Sequence, residues 1–267
     1  MRILAWVIWN GCILSAVRYG LQIWTEALCW ITGARIVTYY YIGRIGCQKR
    51  RVHQVSWKEK QKRNYENINK GSFSVTGEYD IPILEPVEYK YCDWIGFNYA
   101  SSVKDRRGKG IHFFLEDYQF TRLWGNIDYY VPMLSSYDSI MTPDFSLYTD
   151  FPKALQIYNH YRKHWIGAYL QQKGLHVIPT ICWSDRDSFH WCFDGEPTQG
   201  VVAVSSIGTQ NSRKRRDLFL AGYFEMMDRL QPTHVIFCGA VPEECRGDIV
   251  RIKAFSERFH EAEISQW

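Results

Sequence analysis

The segment GLHVIPTICWSDRDSFHWCFDG, residues 174–195, opens with a nearly continuous apolar run, LHVIPTICW (175–183), that ends in polar residues. Two similar runs follow it, GVVAVSSIG (200–208) and THVIFCGAV (233–241). Two more precede it, IHFFLEDYQF (111–120) and SIMTPDFSLY (139–148). Runs that are apolar throughout, rather than at every second residue, are typical of parallel strands covered on both faces. The sequence therefore predicts five strands of a mainly parallel sheet.

Helical patterns separate several of these runs. Thr149, Asp150 and Pro152 are typical of a helix start, and Gly174 is typical of a helix end. Between them the larger side chains recur at helical spacing, at Leu155, Tyr158, Arg162, Trp165 and Tyr169. A second helix is predicted for 213–230, with one face made of Phe219, Gly222, Tyr223, Met226 and Leu230. A last helix is predicted for 250–261.

The alternation of strands and helices predicts an α/β fold. The sheet is either an open doubly wound sheet or a partial βα-barrel-like array, because five strands fall short of the eight that close a full barrel. The chain has 267 residues and a mass of 31.5 kDa, which suits an α/β domain over 64–267 with an N-terminal appendage over 1–63. A hydrophobic content of 46% excludes disordered and collagen-like chains.

The appendage differs from the rest in charge. Residues 1–63 carry a balance of +9, whereas the remaining residues carry −5. Most of the excess lies in the run from Lys49 to Arg63, which could contact nucleic acid or acidic lipid, or could be a solvated basic segment. The uncharged stretch from Ile3 to Val17 is short for a membrane span. It is a weak membrane-associating segment, an element packed on the body, or an extension outside the functional domain.

Cysteine and histidine patterns argue against metal binding. None of the eight cysteines forms a CxxC pair, and the spacings of Cys182 from Cys192 and of Cys238 from Cys245 match no zinc knuckle. We therefore expect reduced thiols and a cytoplasmic protein. His160 and His164 lie one helical turn apart, but Tyr161 stands where a zinc-protease helix has glutamate. The sequence predicts that this histidine pair lies on a solvated helix face.

Candidate catalytic residues follow the predicted strands. In parallel α/β folds the functional site forms where the carboxyl ends of the strands meet the next loops. Asp117, Asp144 and Asp185 stand at three such ends. Converging carboxylates can hold Mg²⁺ or Mn²⁺ for phosphoryl chemistry, or can act as an acid and a base that flank a glycosidic bond. The alternative is that these aspartates only shape turns or cap helices.

A possible anion site follows the fourth strand. The sequence SSIGTQNSRKRRDLF leads from a strand through small residues into a helix, so Ser206, Gly208 and Arg213 are candidate ligands for a phosphate group. Neither the GxGxxG fingerprint nor the P-loop is present. Among the aromatic residues, Tyr118 and Trp183 lie near the predicted strand ends, where they could stack on a base or sugar or simply pack in the core.

Several stretches resemble an uncharacterised bacterial and phage family that is classed as a domain of unknown function. They are GIHFFLEDYQFTRLW, PDFSLYTDFPKALQIYNHYRKHWIGAYLQQ, GLHVIPTICWSDRDSFHWCFDG, VVAVSSIG and LFLAGYFEMMDRLQPTHVIFCG, in this order. The resemblance covers about residues 94–240 and implies a cytosolic protein of a phage or mobile element. It carries over no catalytic residues. Where relatives have Gly-Cys, this chain has Gly208 and Thr209, which argues against a nucleophile there.

The sequence thus favours a phage or mobile-element protein that binds or hydrolyses a phosphate-containing or nucleic-acid-derived substrate at the strand ends. Two alternatives stay open. One is a glycosidase-like hydrolase that uses paired carboxylates, and the other is a non-catalytic protein that binds nucleic acid or a host protein.

Overall fold

The computed structural model describes residues 3–9, 12–18, 51–52, 65–67 and 70–252. The chain divides into two compact units, Met1–Lys49 and Arg50–Trp267. In the first unit, β1 (Ile3–Trp9) pairs antiparallel with β2 (Cys12–Arg18), in a register that sets Trp9 opposite Cys12. Asn10 and Gly11 stand between the two strands in the sequence, and this dipeptide is favoured in two-residue hairpin connections.

The second unit begins with a small antiparallel sheet. It consists of β3 (Arg51–Val52), β4 (Ser74–Thr76) and β5 (Ile81–Pro82), with β4 in the middle. The predicted basic run from Lys49 to Arg63 lies outside the described residues except at Arg51 and Val52. The possible contact of this run with nucleic acid or lipid therefore stays a prediction.

Seven parallel strands form the centre of the second unit. They are β6 (Asp93–Gly96), β7 (Lys109–His112), β8 (Ser139–Met141), β9 (Val177–Ile178), β10 (Val201–Ser205), β11 (His234–Cys238) and β12 (Ile249–Ile252). The first four pair in one ladder and the last three in another. A parallel bridge between Thr180 and Ala203 joins the two ladders. All seven strands therefore point the same way, and their carboxyl ends share one edge.

The order of these strands in space is their order in the chain. A doubly wound sheet reverses its strand order at a switch point, and no reversal occurs among the described strands. The α/β prediction is confirmed, and the strand order favours the barrel-like alternative. The predicted last helix is wrong at its start, because β12 continues the sheet there with the β-branched residues Ile249, Val250 and Ile252. Residues 253–267 lie outside the described part.

Within residues 70–252, four α-helices connect the strands. Two short ones, α1 (Thr121–Gly125) and α2 (Ile127–Leu134), precede β8, and the long helices are α3 (Lys153–Gln172) and α4 (Arg213–Leu230). The predicted apolar face of α4 is buried as expected and packs with Val202, Val204, Val235 and Phe237 of the sheet. Burying each such side chain contributes about 1.5–3 kcal/mol. The opposite sheet face belongs to a second core cluster with Trp94, Ile111 and Trp165.

The described region contains five free cysteines. Cys92, Cys182, Cys192, Cys238 and Cys245 form no disulfide within the described region. None of the described helices combines the length and the apolar composition that crossing a membrane requires.

Candidate functional site at the strand carboxyl ends

Asp117 and Asp144 follow two adjacent strands, β7 and β8. The Asp117 carboxylate accepts hydrogen bonds from the Ser146 backbone N–H at 3.2 Å and from Ser146 Oγ at 2.8 Å. These bonds fasten the loop after β7 to the loop after β8. The two aspartates are close enough that the charge of Asp117 acts on the pKa of Asp144. The structure thus brings two of the three predicted carboxylates together at the carboxyl ends of β7 and β8, a region here called the cleft.

The Asp144 carboxyl has an unusual proton affinity. Burial raises its pKa to about 7, and the negative charge of Asp117 acts in the same direction. The Lys163 ammonium and a hydrogen bond with the Cys182 thiol act in the opposite direction. Part of the residue nevertheless remains exposed to solvent. A carboxyl that exchanges its proton near neutral pH and can be reached from outside is suited to general acid–base catalysis.

Arg162 supplies a positive charge beside this cleft. Its guanidinium lies over the Phe145 ring, 3.6 Å from the ring centroid. Its Nε is buried and has no hydrogen-bond partner among the described residues. Burial lowers the pKa of Arg162, while the charges of Tyr158 and Asp117 raise it. A half-buried guanidinium held by aromatic stacking, with a donor to spare, is a typical anion-binding group.

Asp185 has a different role. Its carboxylate accepts a hydrogen bond from the Ser188 N–H at 3.0 Å and caps the 3₁₀-helix Arg186–His190. It also lines an open groove of about 780 Å³ between this short helix and the start of α4. Arg213, the predicted anion ligand, lines the same groove. The structure therefore places Asp185 and Arg213 in the lining of one groove.

The other predicted ligand-binding residues divide between surface and core. Tyr118 is 79% exposed beside Asp117, so its ring is open to a ligand. Trp183 packs against α4, because Gly222 has no side chain there. Ser206 is buried and donates a hydrogen bond to the Ala240 carbonyl at 2.6 Å. Gly208 has a φ of +76° and lies on the exposed loop that follows β10.

The prediction of a solvated histidine face on α3 is wrong. His160 and His164 are 1% and 0% exposed. The loop at 194–196 and Pro82 of β5 cover this face of the helix. The missed signal was a polar stripe at helical spacing, all of it buried, made of Gln156, Asn159, His160, Lys163 and His164. The helix was instead recognised by its larger side chains at helical spacing, and one of these, Leu155, is exposed.

Lys163 connects the buried stripe to the cleft. Its Nζ donates to Glu196 Oε1 at 2.6 Å and to the Thr180 carbonyl at 2.9 Å. Burial acts to lower the pKa of Lys163, but Glu196, Cys182 and Asp144 outweigh it and raise the pKa above its ordinary value. The ammonium is therefore charged and interacts with two carboxyl groups.

One group of described residues lies close enough to share a metal ion. It consists of His160, His164 and Glu196, and one ligand atom from each lies within 4.8 Å of the others. The predicted aspartates are not part of this group. A magnesium or manganese site formed by Asp117, Asp144 and Asp185 stays a prediction.

Comparisons with known proteins agree with the family resemblance and extend it over more residues of the chain. A family model described as "Domain of unknown function (DUF4417)" matches residues 73–256. The Gene 1 protein of Mycobacterium phage D29 is 38% identical over 174 residues, which cover 63% of this chain and 63% of that protein. The Gene 1 protein of Mycobacterium phage L5 is 38% identical over 174 residues, covering 63% of this chain and 74% of that protein. No solved structure matches the chain.

The matched region spans less than two thirds of the D29 protein. The family match nevertheless includes the strand-end carboxylates, Arg162, Lys163 and the histidine pair of α3. It takes in well over half of the chain, so the protein belongs to the DUF4417 family.

Proposed function

We propose that the cleft at the carboxyl ends of β7 and β8 binds a phosphate-containing or nucleic-acid-derived substrate and hydrolyses it. The observation that carries the proposal is Asp144, a partly exposed residue whose carboxyl has its pKa raised to about 7 by burial. Such a group donates a proton at neutral pH and takes it back later in the same cycle. The occurrence of phage Gene 1 proteins among the relatives suits a protein of a phage or mobile element.

In this mechanism Asp144 acts as the general acid. Water attacks phosphorus, the bond from phosphorus to the leaving oxygen breaks, and the Asp144 proton passes to that oxygen. The proton that the attacking water releases then returns Asp144 to its acid form. Burial, with the negative charge of Asp117 acting in the same direction, keeps Asp144 protonated before the reaction. Ser146 holds Asp117 in place through the two hydrogen bonds described above.

The choice of an anionic substrate rests on Arg162. Its unpartnered Nε and its stacking on Phe145 provide an oriented donor for a phosphate oxygen. Two exposed aromatic rings accompany the cleft residues in the chain, Tyr118 beside Asp117 and Tyr148 just after Ser146. Exposed rings of this kind stack on nucleobases with little dependence on sequence.

The test compares the wild type with Asp144→Asn on chromogenic phosphomonoesters, phosphodiesters and cyclic nucleotides, with and without Mg²⁺ or Mn²⁺. We expect the substitution to lower kcat by about 10²- to 10⁴-fold, the usual contribution of a general acid. Asp228→Asn is the matched control, because Asp228 is an exposed carboxylate on α4. No turnover of any phosphate ester by the wild type, or equal turnover by Asp144→Asn, would contradict the proposal.

A glycosidase-like activity is the second candidate, because Asp117 and Asp144 form an interacting carboxyl pair. Nitrophenyl glycosides in the same assay distinguish the two. Turnover of glycosides and not of phosphate esters, with the same loss in Asp144→Asn, would replace the phosphate proposal with this one. Nucleotide binding without turnover would instead favour the non-catalytic binding protein.

A further inference from the structure

The buried cluster on α3 lies apart from the Asp117 and Asp144 cleft and has its own chemistry. His160 and His164 stand at i and i+4 on one helix face, with ring centroids 4.4 Å apart. Glu196 reaches the same point from the loop after the 3₁₀-helix Arg186–His190, and it is 8% exposed. Imidazole nitrogens and a carboxylate are the ligands that zinc and similar divalent ions use.

The hydrogen bonds of the two histidines indicate which nitrogens are available. Nε2 of His160 faces the Asp194 carbonyl at 3.0 Å, and Nδ1 of His164 faces the Pro82 carbonyl at 2.9 Å. A carbonyl only accepts, so each of these nitrogens carries a hydrogen. The nitrogen that each ring can offer to a metal ion is therefore the other one, Nδ1 of His160 and Nε2 of His164.

Two buried atoms of the cluster residues have no hydrogen-bond partner among the described residues. They are Nδ1 of His160 and Oε2 of Glu196. Nε2 of His164 lies 2.9 Å from Glu196 Oε1. Both nitrogens of His164 thus face acceptors, and the hydrogen that joins Nε2 to Glu196 stands where a metal ion would bind in its place.

Backbone contacts hold the ligands in place. Metal-binding histidines usually donate their second N–H to a carbonyl or carboxylate, which fixes the ring orientation. Here Asp194 and Pro82 provide the two carbonyls. Gly195 has a φ of +78°, and a Cβ there would lie 2.4 Å from the Pro82 oxygen and 2.8 Å from His164 Nδ1. Only glycine lets the loop approach this closely.

We propose that His160 Nδ1, His164 Nε2 and Glu196 form a structural site for a divalent transition-metal ion of the zinc class. Ligand atoms on one tetrahedral zinc lie roughly 3.3 Å apart, given bonds of about 2.0–2.2 Å. The observed spacing within 4.8 Å requires only small side-chain adjustments to reach this geometry. Because the cluster is buried, the ion would join α3 to the loop at 194–196, whereas the Asp144 cleft would carry out the chemistry.

Among the residues that the structure describes, Lys163 brings a positive charge to the cluster. It binds Oε1 of Glu196 at 2.6 Å and leaves Oε2 without a partner. Its charge repels a metal ion, and the nearby Asp144 carboxylate offsets this when it is ionised. Removing this charge tests whether Glu196 is a metal ligand. If it is, Lys163→Met should tighten metal binding, because the repulsion between the ammonium and the ion is lost.

The experiment measures metal content and unfolding of the full chain. Wild-type protein, stripped with a chelator and reloaded, should bind one Zn²⁺ and show the ligand-field absorption of Co²⁺ in a nitrogen and oxygen site. At a 100-fold excess of Zn²⁺ over Kd, the Tm should rise by about 5–10 °C. His160→Gln should abolish both effects, and Lys163→Met should lower Kd. The exposed His190 provides the control His190→Gln, which should behave as the wild type.

The proposal is overturned if stripped wild-type protein binds no Zn²⁺ or Co²⁺. Binding that survives in His160→Gln overturns it as well, since the ion then lies elsewhere. If His160→Gln does not fold, X-ray absorption of the zinc-loaded wild type decides. Two imidazole shells support the site, whereas sulfur ligands or fewer than two imidazoles exclude it.

Discussion

At the scale of single residues, Asp144 shows how one environment affects both chemistry and stability. Its pKa of about 7 arises mainly from burial, with Asp117 adding to the shift and Lys163 and Cys182 opposing it. The same desolvation that keeps the proton available for catalysis makes the ionised form unfavourable in the folded protein. The site therefore reduces stability at high pH.

The sign of this effect follows from linkage. The folded pKa lies above the unfolded value of 3.8, so the contribution to stability is full below that value and is lost as pH rises through about 7. Between pH 5 and 8.5 we expect a loss of roughly 2–3 kcal/mol from this group. Urea unfolding of Asp144→Asn should lack this part of the decline, and Asp228→Asn should retain it. Equal declines in the wild type and Asp144→Asn would show that the carboxyl titrates normally.

At the scale of elements, the contact between α4 and the loop after β9 depends on one glycine. A Cβ on Gly222 would lie 2.2 Å from the Trp183 ring, closer than any real contact. Gly222→Ala should therefore lower the free energy of unfolding by about 1–3 kcal/mol, as overpacking does. Gly125→Ala is the control, because a Cβ there meets nothing within 4 Å.

A double substitution tests whether the Trp183 ring is the cause. Trp183→Leu combined with Gly222→Ala should be more stable than the sum of the two single effects predicts. If the two changes in the free energy of unfolding simply add, the Trp183 ring is not the cause of the destabilisation by Gly222→Ala. The readout is the free energy of unfolding from urea titration, measured for all four proteins under one condition.

The sequence predicted which segments form helices better than it predicted which helix faces are buried. The bounds of α4 and its buried face were predicted correctly because Phe219, Gly222, Tyr223, Met226 and Leu230 recur on one side of the helix. The same reasoning failed for α3, where the polar residues at Asn159, Lys163 and His164 are buried against β5 and the loop at 194–196. Periodicity identifies a helix, but a buried polar stripe becomes visible only when its partners from distant segments are known.

Two residues of the candidate site could be predicted to lie together from the sequence. Asp117 and Asp144 follow adjacent parallel strands, and the rule of strand carboxyl ends places them at one edge. Glu196 lies in a loop without any pattern, so only the fold brings it to His160 and His164. Strands β6 and β12 were missed because they lie at the two ends of the described strand order and carry Asp93 and Arg251, so neither forms a continuous apolar run.

At the scale of the whole molecule, the division of the chain after Lys49 predicts independent folding of the second unit. A chain that begins at Arg50 should unfold in a single transition with a Tm close to that of the full chain, because the sheet and both core clusters remain. Circular dichroism melts of both chains measure this. A chain that begins at Asn64 also loses β3 and serves as the comparison. Aggregation of the Arg50 chain would show that residues 1–49 belong to the folding unit.

The strand order also has a consequence for how the protein is made. Each parallel strand from β7 to β12 lies beside the strand that precedes it in the chain. During translation, the strand that pairs with each newly synthesised strand is therefore already present, namely the one that precedes it in the chain. Each pairing therefore closes only one crossover connection, such as residues 142–176 between β8 and β9. A reversed strand order would close longer segments, and the entropic cost of closing a segment rises with its length.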